Sequence, residues 1–280
     1  LGRDYHKVMR KTLKKLGEKI QNRLPDTRYR VCVDTAPVLE RALAQQAGLG
    51  WIGKNTLLIH KNIGSYFVLG EIITDLPLPP DLPATFHCGS CQRCMEVCPT
   101  NAIVSPFEID ARKCIAYLTI EYKGSIPIEF REKIGNRIFG CDDCQIFCPW
   151  NRFATPTTHT DFQPRHSLND VDLLTLFRWN LETFLIKTEG SPIRRTGFSG
   201  WLRNISIALG NAPYHPEIPS ALYEQTTQLP HYFPHQPEII DMLTEHFQWA
   251  ITQQETTAKQ SAQNHAFVNI DLLNQNGHSQ

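Results

Sequence analysis

The sequence of 280 residues has no apolar run long enough to span a membrane and no excess of charge of either sign. A membrane helix needs about eighteen or more apolar residues in a row, and the first fifteen residues, LGRDYHKVMRKTLKK, lack the apolar core of a secretory signal. A hydrophobic content of 41% is enough for a real core. We therefore expect a globular protein of the cytoplasm that has no membrane partner.

The sequence also lacks an initiator Met and enters directly on a helical pattern, so we expect a segment upstream of it. Ten Lys or Arg stand against three acids in the first thirty residues, although 28 basic and 28 acidic residues cancel over the chain. This local charge fits a solvated helix face or a contact with a phosphate backbone. The apolar residues of the same segment recur at helical spacing: Val8, Met9, Leu13, Leu16, Ile20 and Leu24.

The order of patterns predicts an α+β fold in three parts. In the first part, residues 1–83, a strand at 28–33 precedes a helix that Pro37 starts and Gly48 ends, and two strands follow at 56–60 and 65–73. This order predicts an α/β layer, and the proline-rich DLPLPPDLP ends it. Residues 84–155 carry most cysteines, and residues 156–280 form helices in series, of a repeat type, with a loosely ordered end from about residue 252.

Seven of the nine cysteines lie in two short runs, CGSCQRCMEVCP and CDDCQIFCP, each of which ends in Cys-Pro. Disulfides do not suit a reducing cytoplasm, and thiols this close in sequence suit a shared metal. Pairs of Cys-x2-Cys also build structural zinc sites, which is the alternative. The first run, however, has the C-x2-C-x2-C-x3-C-P spacing of bacterial ferredoxins, so the sequence predicts two 4Fe-4S clusters.

The ferredoxin rule, in which the fourth cysteine of a run serves the other cluster, predicts how the cysteines divide. Cys148 should complete the first cluster. The second cluster takes Cys98 from the first run and needs a fourth ligand, for which Cys114 is the nearby thiol; Cys32 is left over. The predicted ligands are, for the first cluster, Cys88, Cys91, Cys94 and Cys148, and for the second, Cys98, Cys114, Cys141 and Cys144.

Two clusters in series conduct electrons, which fits either an electron carrier or an enzyme that reduces its own substrate. A carrier has little use for about eighty residues before the clusters and more than a hundred after them. An enzyme is therefore favoured.

Four stretches outside the cysteine runs match one family, and together with the cysteine spacing they make the chain resemble epoxyqueuosine reductase, a cobalamin-dependent iron–sulfur enzyme of queuosine biosynthesis. The match extends to about residue 212. The stretches are VDTAPVLERALAQQAGLGWIGKNTLLI, GSYFVLGEIITD, CIAYLTIE and SPIRRTGFSGWLRNISIALGN.

The resemblance implies reduction of epoxyqueuosine to queuosine in transfer RNA, with base-off cobalamin, an external electron donor of the ferredoxin or flavodoxin type, and a monomer. The lower-ligand loop Asp-x-His-x-x-Gly is absent, because Met9 stands where the Gly after Asp4 and His6 is required. Family members bind the corrinoid without a His ligand, so its absence is consistent. Reductive dehalogenases share the cofactor plan and are the nearest alternative.

The resemblance also implies roles for single residues. Asp34 matches the proton donor, although a carboxylate before Pro37 also suits a helix cap. The C-terminal helices resemble the family's HEAT-like domain, in which Arg194, Arg195 and Arg203 face phosphates or, alternatively, pair helices. The expected corrinoid contacts, in addition to Asp34, are Trp51, Lys54, Asn55, Ser65, Asp142 and Asp143.

Overall fold

The computed structural model describes residues 2–166, 168 and 170–275, and it describes side chains as far as residue 260. The chain divides into two compact units. The first comprises residues 1–117, 141–169 and 188–194, and the second comprises residues 118–140, 170–187 and 195–280.

The first unit is built from short helices and paired strands. The largest pair is antiparallel, β1 with β4, in which Tyr29 lies opposite Thr74 and Cys32 lies opposite Glu71. Helix α1 packs against both strands. Its elements are α1 (Tyr5–Arg23), β1 (Tyr29–Cys32), α2 (Glu40–Gln46), β2 (Trp51–Ile52), β3 (Leu58–Ile59), β4 (Glu71–Thr74), α3 (Arg93–Glu96), β5 (Ile103–Ser105), β6 (Glu108–Ile109) and α6 (Asp143–Ile146), with 3-10 turns at Ala111–Lys113, Pro149–Phe153 and Thr160–Phe162.

The second unit is helical. Helix α9 lies at its centre, and α5, α7 and α11 pack against it. The unit contains α5 (Ile128–Ile134), α7 (Leu173–Phe177), α8 (Leu181–Lys187), α9 (Gly197–Gly210), α10 (Glu217–Tyr232) and α11 (Pro237–Gln275); α4 (Ile115–Ile120) and a 3-10 turn (Pro192–Thr196) each contribute to both units. In the part of the chain that the structure describes, no helix has the length and apolar character needed to cross a lipid bilayer.

The described chain is thus a mixed, helix-rich fold with few strands. The predicted first helix, the strand at 28–33 and the helix near residue 40 are present as α1, β1 and α2. One local prediction is wrong, because α2 begins at Glu40, beyond the first turn expected at Pro37. The N-cap of α2 is Leu39, which argues against the alternative of Asp34 as its cap. The predicted division into three domains stays a prediction.

The extended segments of the first unit are shorter than the sequence patterns. The predicted strand at 65–73 is paired only over β4, because Phe67 N–H closes a turn onto the Ser65 carbonyl before it. At the other end of the chain, residues beyond 252 continue α11 to Gln275, where loose order was expected. Gln254, which is fully buried, donates to the carbonyls of Leu209 and Ala212 and ties this part of α11 down.

Close approach of α9 and α11 requires a glycine at position 210. A Cβ there would lie 2.6 Å from a ring carbon of Trp249 and 3.0 Å from the Cα of Ala250. Gly200, on the same helix, is a matched control. A Cβ added there would have Thr196 Cβ as its nearest neighbour, at 3.3 Å.

We expect Gly210→Ala to lower the free energy of unfolding by about 1–2 kcal/mol, because overpacking outweighs the better helix propensity of Ala. Thermal unfolding should show a melting temperature lower by about 2–4 °C for each kcal/mol. Gly200→Ala should leave it unchanged or raise it. Equal melting temperatures for the two variants would contradict the close packing inferred at Gly210.

Candidate functional site

The two cysteine runs fold into matching turns. Each run contains a single short helix, α3 in the first and α6 in the second, and the two helices pack against each other. In each run the last cysteine donates its N–H to the carbonyl three residues back: Cys98 to Met95 at 3.4 Å and Cys148 to Gln145 at 3.0 Å. The repeated turn brings the two runs together in the first unit.

One group of thiols surrounds Cys94. Burial raises the pKa of the Cys94 thiol, and the neighbouring sulfurs of Cys148, Cys88 and Cys91 raise it further. These four cysteines line one cavity, next to Trp150. They are the four residues that the sequence groups as ligands of the first cluster.

A second group of thiols surrounds Cys144. Burial, followed in order of size by the neighbouring Cys141, Cys114, Cys94 and Cys98, raises the pKa of Cys144 to about 12. Cys114 comes from the segment between the runs, just before α4. Since Cys94 also acts on Cys144, the two groups are close neighbours.

Donors to sulfur come from outside the runs and from their ends. Trp51, which is 2% exposed, directs its indole Nε1–H at Cys88 Sγ at 3.4 Å. The Ala102 backbone N–H donates to Cys98 Sγ at 3.2 Å. Hydrogen bonds to ligand sulfur raise the reduction potential of a cluster, so both contacts fit a redox site.

Side chains of the segment after Trp51 brace both cysteine runs. Lys54 Nζ donates to the carbonyls of Gly89 and Cys91, both at 2.8 Å, and Asn55 Nδ2 donates to the Cys144 carbonyl at 3.3 Å. Both side chains are buried. Their polar groups are thus engaged with the cysteine loops, where the sequence predicts contacts with a corrinoid.

The remaining residues of that predicted set lie around α6. The buried Ser65 hydroxyl donates to Gln145 Oε1 at 2.9 Å, and Gln145 Nε2 donates to Asp142 at 2.9 Å. Asp142 is exposed, and Asp143 is half-buried in the first turn of α6. Ser65 therefore supports the second cysteine run through Gln145.

Asp34 lies apart from these braces, on an exposed turn directly after β1. Its φ of 49° is in the left-handed region, which Asp tolerates better than most residues. Asp34 Oδ2 is 2.8 Å from His6 Nε2, and His6 Nδ1 is 2.7 Å from Asp4 Oδ1. The three side chains form a carboxylate–imidazole–carboxylate chain.

The imidazole of this chain is set up to carry a proton. Burial lowers the pKa of His6, but hydrogen bonds to Asp34 and Asp4 raise it by more, so the net shift is upward. A ring with a carboxylate at each nitrogen is the arrangement of an imidazolium, in which both nitrogens donate. Asp4 is also the N-cap of α1, where it accepts the His6 N–H at 3.0 Å, so the helix start fixes the ring.

An open cavity of about 920 Å³ lies beside Asp34. Its wall is largely apolar, with Leu57, Phe67 and Val68 among the lining residues, and Tyr5 also lines it. Of the residues expected to touch a corrinoid, Asp34 alone is among the described residues lining this cavity. Lys54 and Asn55 line the cavity at the first cysteine group instead.

The three arginines expected to face phosphates differ in position. Arg194 and Arg195 are exposed, and Arg195 pairs with Glu121 at 3.1 Å. Arg203 is 1% exposed and donates to the carbonyls of Leu118, Tyr122 and Gly124. The expected phosphate contact is therefore wrong for Arg203, which ties helices together.

Sequence reasoning missed His6 and the orientation of Asp4 toward it. The signal was present as DYH at the start of α1, since an N-cap Asp two residues before a His directs both side chains to the same end of the helix. What the pattern did not reveal is that β1 ends beside this helix start, which brings Asp34 to the ring.

Comparisons with known proteins agree with this geometry. Residues 87–151 match the family described as "4Fe-4S double cluster binding domain", and residues 1–35 match "Epoxyqueuosine reductase QueG, DUF1730". The epoxyqueuosine reductase of Pseudomonas aeruginosa is 55% identical over 253 residues, which is 90% of this chain and 67% of that protein. The Vibrio cholerae enzyme is 52% identical over 94% of this chain and 69% of its own length.

Solved structures show the same relationship. Epoxyqueuosine reductase from Bacillus subtilis, solved with a catalytic aspartate loop swung out of the active site, superposes with a TM-score of 0.78 at 34% identity, over 90% of this chain and 64% of that one. A second epoxyqueuosine reductase, with an epoxyqueuosine-modified transfer RNA stem loop, gives a TM-score of 0.71 at 29% identity, over 91% and 73%. The chain thus spans about two thirds of the length of these relatives.

The grouping of thiols generates a test on iron content. We expect Cys114→Ser to lose one cluster, so that anaerobically purified full-length protein falls from about eight to about four irons per chain. Cys32→Ser is the matched control, because Cys32 is buried in β1 away from both groups and should leave iron unchanged. Unchanged iron in Cys114→Ser, or stoichiometric zinc in the unaltered protein, contradicts the grouping.

Proposed function

The chain belongs to the epoxyqueuosine reductase family, and we propose that it is the cluster-bearing part of an oxidoreductase that reduces epoxyqueuosine to queuosine in transfer RNA. The observation that carries this proposal is the hydrogen bond between Asp34 and His6, whose other ring nitrogen contacts Asp4. This hydrogen-bonded chain lies in the same unit as the eight grouped cysteines. An electron carrier would need the cysteines without a positioned acid.

Two 4Fe-4S clusters are assigned to the two thiol groups. Cys88, Cys91, Cys94 and Cys148 line one cavity, which supports their serving the first cluster. The sulfurs acting on Cys144 support the second set, Cys98, Cys114, Cys141 and Cys144. Because each run contributes to both groups, the two clusters would be held by the same backbone turns and would supply electrons to the site.

Cobalamin is assigned to the cavity beside Asp34. A volume of about 920 Å³ and an apolar wall suit a large macrocycle, which Leu57, Phe67 and Val68 would hold. When bound, cobalamin supplies reducing equivalents to the epoxide carbon. Trp51, Lys54, Asn55 and Ser65 then act indirectly, by holding the cysteine loops.

Asp34 is the proton donor in this proposal. Removing an epoxide oxygen takes two electrons and two protons, and the oxygen leaves as water. Asp34 is exposed beside the cavity, so it protonates the departing oxygen as a general acid. Asp34 accepts from the His6 ring and therefore receives this proton from the His6 imidazolium, which Asp4 holds, through the bond from Nε2 to Asp34 Oδ2. The second proton comes from solvent by the same route, since Asp34 is exposed.

The helices of the second unit are proposed as the HEAT-like domain of the family. Arg194 and Arg195 are exposed and remain the candidates for phosphate contacts, and the basic face of α1 adds charge. We further propose that the protein acts as a monomer in the cytoplasm, where an external ferredoxin- or flavodoxin-type donor reduces the clusters.

The donor role of Asp34 predicts a loss of turnover without a loss of structure. In the full-length enzyme, Asp34→Asn keeps the side-chain shape and tolerates a positive φ, but it has no carboxylic proton to give. Reduction of epoxyqueuosine in a transfer RNA stem loop should slow by about a hundredfold or more. The readouts are single-turnover product formation, iron content and cobalamin absorbance, and the last two should not change.

Asp75→Asn is the control for this variant, since Asp75 is an aspartate that pairs with Arg28 at 2.9 Å on the far end of the β1–β4 pair. It should react at the normal rate. Normal turnover in Asp34→Asn would reject the donor role.

The arginine assignment predicts a change in salt dependence. Replacing Arg194 and Arg195 by Gln should weaken stem-loop binding and reduce the slope of log affinity against log salt by about one to two, since fewer counterions are released. Arg178→Gln is the control, because Arg178 is exposed and pairs with Glu217 at 2.7 Å. Equal slopes for the double variant and the control would give both arginines a structural role.

A further inference from the structure

The turn that carries Asp34 has few hydrogen bonds of its own. After β1 the chain makes two tight contacts within the turn, Thr35 N–H to the Val33 carbonyl and Val38 N–H to the Ala36 carbonyl. The Asp34 backbone N–H instead donates to a side chain, Glu40 Oε1, at 2.6 Å. Glu40 is the first residue of α2, so the helix start holds the turn.

A second carboxyl group lies behind Glu40. Glu71, on β4, is hydrogen-bonded to Glu40 through their side chains. Two carboxyl groups form a hydrogen bond only when one of them is protonated, so this pair shares a proton. Glu40 already acts as an acceptor, for the Asp34 N–H, so we place the shared proton on Glu71.

The surroundings of Glu71 agree with a neutral acid. Its Oε2 atom is buried and has no hydrogen-bond partner among the described residues, which is far less costly for a neutral acid than for a carboxylate. Burial, the charge of Glu40 and the hydrogen bond to it together raise the pKa of Glu71 to about 7. Glu71 is thus poised to change its charge near neutral pH.

Charged residues line the cavities on both sides of the pair, with Asp34, Arg41 and Glu108 beside Glu40, and Arg10, Lys14 and Arg30 beside Cys32. Arg41, next on α2, donates to the Thr56 carbonyl. Cys32 lies opposite Glu71 across the strand pair. Helix α1 brings the apolar Leu13 and Met9 to the adjoining Gly70. Glu40 is the charged group whose field acts on Glu71.

We propose that Glu40 and Glu71 form a proton-linked latch, in which protonated Glu71 holds the Glu40 carboxylate against the Asp34 N–H and so positions the acid turn. Glu40 is a positioning residue, since it contacts the Asp34 backbone and not the carboxyl group that reacts. The catalytic meaning of the latch rests on the proposed donor role of Asp34.

The direction of the pH effect follows from the raised pKa. Below the ordinary Glu pKa, Glu71 is protonated in folded and unfolded chains alike, and the latch contributes in full. As pH rises through about 7, the folded Glu71 loses its proton, two carboxylates face each other, and the turn loosens.

Hydrogen–deuterium exchange of the peptide that covers residues 33–39, in full-length protein, tests the latch without any turnover. Glu40→Ala should speed exchange of the Asp34 amide by about tenfold or more, because a charge-assisted bond is lost. Glu40→Gln keeps an acceptor oxygen and should restore most of the protection. Glu71→Gln, which is permanently neutral, should remove the extra loosening above pH 7 that remains after correction for intrinsic exchange.

Glu18→Gln is the matched control, because Glu18 is an exposed acid on α1 that pairs with Lys14 at 3.9 Å; it should not alter exchange of this peptide. Equal protection in Glu40→Ala and the unaltered protein overturns the latch, as does an unchanged pH dependence in Glu71→Gln.

Single-turnover reduction then separates the two proposals. With a positioned donor, Glu40→Ala should lower the rate by about tenfold at constant stem-loop affinity, with Glu40→Gln intermediate. If Asp34→Asn reacts normally while Glu40→Ala exchanges faster, the donor role fails and the latch stands. If Asp34→Asn is slow and Glu40→Ala exchanges normally, the latch fails and the donor role stands.

Discussion

The constraint on which the first unit depends is that eight thiols must be held in two neighbouring groups. Each loop contains one short helix and its own backbone turns, and side chains from outside the runs add further hydrogen bonds. Lys54 donates from one buried ammonium to two carbonyls of the first run, and Asn55 donates to one carbonyl of the second. A buried cation beside sulfur ligands also offsets the negative charge that a cluster and its thiolates carry. The segment around residue 54 is therefore the frame of the redox site.

The acid site depends on a different part of the same unit. The N-cap of α1 presents Asp4 and His6, and the end of β1 presents Asp34. Because α1 packs on the β1–β4 pair, the helix start and the strand end are held at a fixed distance. The site is thus assembled from backbone ends, where unpaired groups are available and small shifts of the turn are possible.

In the second unit, hydrogen bonds stabilise the buried charge of Arg203. Burial lowers the pKa of Arg203 to about 10, so the guanidinium stays protonated at neutral pH. Carbonyls at the end of α4 and after it accept hydrogen bonds from the guanidinium. The neighbouring Asn204 donates to the Thr119 and Ile138 carbonyls. Polar side chains in a helix that is buried almost all round are tolerated because each one finds backbone partners. These backbone partners allow Arg203 to be an interior residue, although its sequence motif is basic.

The sequence by itself determined the elements with strong local signals: α1, β1, the helical end, and the two cysteine runs with the ferredoxin spacing. Local chemistry was sufficient there, because ligand spacing and helical periodicity act over a few residues. Tertiary structure decided what depends on residues far apart in sequence. Cys114 reaches Cys144, His6 meets Asp34 across 28 positions, and Glu71 on β4 meets Glu40 on α2. It also decided that Arg203 is buried while Arg195 is exposed, since burial is set by which helices pack around a residue and not by its neighbours along the chain.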